Sequence, residues 1–109
     1  MSKMTLREVC ETVGVTRRAV QGYENAGLVS ATSRNERGYL LYDEEALEKI
    51  KKIRLFQEMG FTIREICELD RAPKHVLKAA LEMRVEKLQM EHGRVHDMIG
   101  EAKEMIREL

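Results

Sequence analysis

The 109-residue sequence predicts a mainly α-helical chain: a head of short helices interrupted by one small β-hairpin, then a single long helix. Three observations carry that expectation. Apolar residues recur at helical spacing in short runs, opened by Thr or Asp and closed by glycine. The period changes between residues 28 and 42, where a polar turn separates two short apolar stretches. From residue 81 onward the apolar positions settle into a heptad repeat.

Each element has a local reason. Thr5-Leu6-Arg7-Glu8 has the form of a capping box, in which hydroxyl and carboxylate satisfy free amides at a helix start. Leu6, Val9, Cys10 and Val13 follow at helical spacing, and Gly14 stops the run. Thr16 caps a second helix that turns Ala19, Val20 and Tyr23 inward, leaves Arg17, Arg18, Gln21 and Asn25 outward, and ends at Gly27. Two short helices joined by so brief a glycine turn make a helix-turn-helix. Leu28-Val29 and Tyr39-Leu40-Leu41-Tyr42 flank the turn-like Ser33-Arg34-Asn35-Glu36-Arg37-Gly38, which predicts a β-hairpin. Asp43 caps a third helix reaching about Met59, with Ala46, Leu47, Ile50, Ile53 and Phe56 inward and Gly60 as its stop. Thr62-Ile63-Arg64-Glu65 repeats the capping box for a fourth helix through Ile66 and Leu69.

Pro73 suits the first turn of a long helix. Along it Leu81, Val85, Leu88, His92, Val95, Ile99, Ala102, Ile106 and Leu109 alternate steps of four and three, a coiled-coil seam. A helix with one such stripe needs a partner. The chain offers no other helix of similar length, so the partner is expected to be a second copy. The organisation is therefore a head over residues 1–70 and a dimerisation helix over residues 73–109, with no folded effector domain expected after Leu109.

Composition narrows the function classes. The chain is 43% hydrophobic and 35% charged, with zero formal net charge, which argues against indiscriminate nucleic-acid binding. Charge is unevenly spread: residues 1–42 hold six Lys/Arg against four Glu, an excess of two positive charges. No apolar run is long enough for a bilayer, and Met1 to Arg7 lacks a signal-peptide core, so a cytoplasmic location with no membrane partner is expected. Cys10 and Cys67 lie in amphipathic patterns without CxxC spacing and read as buried free thiols.

The order helix-turn-helix, hairpin, helix pair and coiled coil resembles the MerR family of bacterial transcriptional regulators. The residues that carry the likeness are Leu6 to Thr16, Arg18-Ala19-Val20-Gln21-Gly22-Tyr23-Glu24-Asn25-Ala26-Gly27-Leu28, Gly38-Tyr39-Leu40-Leu41-Tyr42 and Ile53 to Ile66. The resemblance implies a winged helix-turn-helix head with the hairpin as wing. It also implies a homodimer joined by an antiparallel coiled coil on a pseudo-palindromic promoter site, which it bends and untwists, with RNA polymerase as a further partner there. Two positions depart from the family pattern. Gln21-Gly22-Tyr23-Glu24 stands where relatives usually carry Arg-Tyr-Tyr-Glu, and Leu40 stands where they carry Arg after Gly-Tyr. In the family those arginines touch phosphates.

Candidate contacts with double-stranded DNA follow. Arg17, Arg18 and Gln21 lie at the front of the second helix, where Arg suits guanine and Gln suits adenine in a major groove. No acidic residue stands between Thr12 and Tyr23 to oppose them. Arg34, Asn35 and Arg37 at the wing tip suit phosphate or the minor groove, with a merely polar turn as the competing reading. Tyr39 and Tyr42 read as core more often than contact, although the Tyr39 hydroxyl can reach phosphate. Gly22, costly inside a helix, suits either a close approach to phosphate or a tolerant site. Met83 and Met90 point away from the seam, toward packing on a partner's head. His92 and His96 stand four apart, a chelating spacing, yet two histidines make an incomplete site and His92 falls in the seam. No cofactor, metal or catalytic constellation is expected. The rival readings are an adapter or antirepressor that keeps the dimer but binds DNA weakly, and a sensor working through His92 and His96.

Overall fold

The computed structural model describes residues 3–109. Met1 and Ser2, where the head was expected to begin, lie outside the described residues. The first element is fixed by the capping box: Thr5 Oγ1 accepts from the Glu8 N–H at 3.3 Å, and Glu8 Oε1 accepts from the Thr5 N–H at 3.1 Å. That reciprocal pair opens α1 (Leu6–Val13), and Gly14, at φ 80°, ends it in the left-handed conformation that a side chain rarely tolerates. Thr16 then caps α2 (Arg17–Asn25) by accepting from the Ala19 N–H at 3.0 Å.

The end of α2 explains a departure from the expected hairpin. Gly27 N–H donates to Glu24 C=O and Leu28 N–H to Tyr23 C=O, each at 3.0 Å, a Schellman closure. Leu28 is thereby drawn into the core as part of the helix end and does not form a strand. The two hairpin strands sit later, and a third strand precedes α1. β1 (Met4–Thr5), β2 (Ser33–Arg34) and β3 (Leu40–Tyr42) form an antiparallel sheet in the order β1-β3-β2. Met4 faces Tyr42 and Ser33 faces Leu41, so the sheet has three strands where two were expected. Two residues ahead of α1 are too few to show a strand period, which is why β1 left no mark in the sequence.

Asp43 caps α3 (Glu44–Glu58), accepting from the Ala46 N–H at 2.9 Å, with Glu44 and Glu45 favourably placed in its first turn. All five residues expected inward on α3 are buried. α3 closes like α2: Phe61 N–H donates to Phe56 C=O, and the two rings meet edge to face with centroids 5.6 Å apart. The second capping box opens α4 (Ile63–Arg71), with Thr62 N–H to Glu65 Oε1 at 3.0 Å and Glu65 N–H to Thr62 Oγ1 at 3.1 Å. The core of the head is Val9, Val20, Tyr23, Leu28, Tyr42, the α3 stripe, Phe61 and Ile66.

Two compact units result, one through Arg71 and one over Ala72–Leu109. The second is the single helix α5 (Lys74–Glu108), about 52 Å long at 1.5 Å per residue. Pro73 is its N-cap with ψ 154°, one residue ahead of the first turn where it was expected; its carbonyl accepts from the Val76 and Leu77 N–H groups. No residue of α5 is buried. No helix of the described residues is long and apolar enough to cross a membrane.

Candidate nucleic-acid interface

α2 is held on two sides, which determines what it can present. Tyr23 OH donates to Gln57 Oε1 on α3 at 2.6 Å, and Tyr42 OH on β3 donates to Glu24 Oε1 at 2.5 Å. Burial, then the Glu24 carboxylate, push the Tyr42 phenol well above its ordinary range, and burial raises Tyr23 against the opposing charge of Arg54. Both phenols are thus protonated donors at neutral pH. With Val20 and Tyr23 buried, Arg17, Arg18, Gln21, Gly22 and Asn25 are left exposed on the opposite face. An added Cβ at Gly22 would meet nothing within 4 Å.

The wing divides its candidate residues between two tasks. Asn35 is half-buried, and its Oδ1 accepts from the Arg37 N–H at 2.9 Å and the Tyr39 N–H at 3.0 Å. Arg34 donates to the Gly38 carbonyl at 2.7 Å. These two side chains build the turn, with Gly38 at φ 83° completing it. Arg37 and Tyr39 remain exposed, and they are the wing groups freest to reach a ligand.

Between α1, the start of α2 and the wing lies an open cleft of about 600 Å³, lined by Thr5, Leu6, Arg7, Arg17, Gly38, Tyr39 and Leu40. It brings together Arg17 and Tyr39, separated in sequence, and adds Arg7. Sequence reasoning missed Arg7, because an exposed Arg paired with Glu11 four residues on looks like any solvated helix face. It also missed Glu24 and Gln57 as the acceptors that fix the two tyrosines. Arg18, Gln21 and the Arg37 side chain do not line the cleft.

The thiols differ from expectation: Cys10 and Cys67 are free but only half-buried. Burial raises the Cys10 thiol while the Arg17 charge lowers it. Cys67 Sγ lies 3.7 Å from the Ala26 carbonyl oxygen.

On α5 the seam residues Val85, Leu88, His92, Val95, Ile99, Ala102, Ile106 and Leu109 are exposed and Leu81 is half-exposed. Met83 and Met90 are 73% and 69% exposed, so the helix carries apolar surface beyond its seam. His92 and His96 are exposed, and no group of three or more potential metal ligands occurs among the described residues.

The sequence profile of the MerR HTH family of regulatory proteins matches residues 4–72. The chain is similar to the nodulation protein NolA of Bradyrhizobium elkanii, 32% identical over 90% of this chain and 51% of that protein. It is also similar to the HTH-type transcriptional activator mta of Bacillus subtilis, 34% identical over 89% of this chain and 38% of that protein. It therefore spans about half, or less, of the length of these relatives. Among solved structures, the N-terminal part of the Bacillus subtilis multidrug transporter activator superposes with a TM-score of 0.69 at 32% identity, over 95% of this chain and 98% of that one.

Proposed function

The chain belongs to the MerR family of helix-turn-helix regulatory proteins, and we propose that it works as a homodimer on a pseudo-palindromic promoter site. The observation that carries this reading is the exposed, acid-free front of α2, with Arg17, Arg18 and Gln21, held in one compact unit with a wing that leaves Arg37 and Tyr39 free. Arg18 and Gln21 are the base-reading candidates, since the first turn of such a helix enters the major groove. Arg37 and Tyr39 serve the flanking backbone, and Arg34 and Asn35 hold the wing in shape for them. α5 supplies the dimer: a seam of Val85, Leu88, Val95, Ile99 and Ile106 exposed on a helix that buries nothing of its own would leave costly apolar surface in water. Two heads so joined read two half-sites, and RNA polymerase is the partner at the promoter.

A gel-shift with DNA from upstream of the protein's own coding sequence tests the reading, together with light scattering at micromolar concentration. Shifted DNA and a dimer mass are expected. A dimer that leaves the DNA unshifted would favour the adapter reading, to which the uncharged Gln21 and Leu40 already lean. A monomer would remove the homodimer from either.

A further inference from the structure

We propose that the cleft between α1, α2 and the wing seats one phosphodiester of the DNA backbone, gripped by Arg7 from one side and Arg17 from the other. This rests on the DNA-binding reading above and gives Arg17 a task different from that of its neighbour Arg18. Arg7 and Arg17 come from different helices yet line the same open space, and no acidic residue lines it with them. Glu8, the nearest acid in sequence to Arg7, is engaged in the capping box with Thr5. Arg17, at the start of α2, shares the lining of this cleft with Thr5, Leu6 and Arg7 of the first helix and its cap. Leu40 contributes wall without charge, so among the described residues the cationic part of the cleft is supplied by the two arginines. Gly38, with open space where a Cβ would stand, keeps the wing side of the mouth clear, and the exposed Tyr39 forms its rim.

Arg7 is held in reserve. Its Nε contacts Glu11 Oε1 at 3.3 Å, an exposed pair with side chains 79% and 69% accessible, and such pairs are weak. A phosphate in the cleft competes with Glu11 for the same guanidinium, and charge-assisted, two-sided coordination favours the phosphate. Glu11 thus acts as a brake on DNA affinity.

The test measures binding of the full chain across a salt series to two duplexes, the protein's upstream DNA and a scrambled sequence of equal length. Arg7→Gln and Arg17→Gln should each weaken binding to both duplexes by roughly a hundredfold, one hydrogen bond to a charged group, worth about tenfold, being lost at each of the two clefts. Each should also flatten the slope of log affinity against log salt by up to about 1.8, one phosphate at each of two clefts. The double variant should fall clearly short of the product of the single losses, because both residues hold one group. Glu11→Gln should tighten binding to both duplexes. Losses confined to the upstream duplex would mean base reading, and fully multiplicative losses would mean two separate sites; either overturns the proposal. If Arg18→Ala weakens binding while the Arg7 and Arg17 variants do not, the cleft fails and the DNA reading stands. If the parent chain binds neither duplex, both fall together.

Discussion

The head and α5 use the same kinds of residue to opposite ends. In the head, every helix has a stop or a cap that turns its apolar face inward, and twelve hydrophobic side chains close into a core. In α5, thirty-five residues run without a buried side chain, and valine, leucine, isoleucine and methionine stand in the open along its length. The head is a finished object by the criterion of burial, whereas α5 is half of one. A head of this kind has stability of its own, while a helix of this kind acquires most of its stability from whatever covers it. Substitutions in the two regions should therefore differ in whether their effects depend on protein concentration.

The largest expected effect is in the core. Ile50→Ala removes a fully buried side chain and should cost roughly 2–5 kcal/mol of unfolding free energy. The loss should be the same in dilute and concentrated samples; a cost that vanishes on concentration would break the contrast between the regions. Ile99→Lys places a charge in the seam and should leave the unfolding of the head unchanged while moving the dimer toward monomer. Sedimentation equilibrium checks it, and an unchanged association constant would mean that the seam is not the contact surface.

Tyr42→Phe should cost about 1.5–3 kcal/mol by removing the hydrogen bond to the Glu24 carboxylate. The buried phenols carry a pH signature, set first by burial and, for Tyr42, then by this bond. Tyr42 and Tyr23 have folded pKa values above their ordinary 10, so their contribution to stability is complete below pH 10 and declines as pH rises from there toward the raised values. Chemical denaturation between pH 8 and 11 should show that decline in the parent and a smaller one in Tyr42→Phe. Smallest is Arg37→Ala, whose exposed side chain should change stability by no more than about 0.5 kcal/mol while weakening DNA binding. A large stability loss there would place Arg37 with Arg34 and Asn35 among the residues that build the wing.

What could be read in the sequence was whatever is decided within one turn of chain. Thr5 with Glu8, Thr62 with Glu65, Asp43, and the glycines at 14, 27 and 60 each act through neighbours three or four residues away, and the helices begin and end beside them. The five inward residues of α3 follow from periodicity alone. What escaped depends on contacts across the chain. β1 exists because Met4 meets Tyr42, and Leu28 leaves the hairpin because the closure of α2 folds it under. The candidate interface divides in the same way. Arg18 and Gln21 were visible from helix phase. Arg7 was not, since nothing in its own neighbourhood signals that the wing and Arg17 will stand opposite it. For Asn35 the sequence left contact and polar turn both open, because turn residues and contact residues share a composition; its two amide partners show the turn role.

Those two amide partners have a thermodynamic meaning for recognition. A surface loop that stiffens only when it meets a ligand loses conformational entropy at that moment, and its affinity is reduced accordingly. With Asn35 Oδ1 holding the amides of residues 37 and 39, and Arg34 holding the carbonyl of residue 38, much of the ordering of the wing tip belongs to folding instead. On the DNA-binding reading, Arg37 and Tyr39 would meet the DNA backbone from a turn that folding has already fixed. Within the wing tip, the ordering left to association would be that of the Arg37 and Tyr39 side chains.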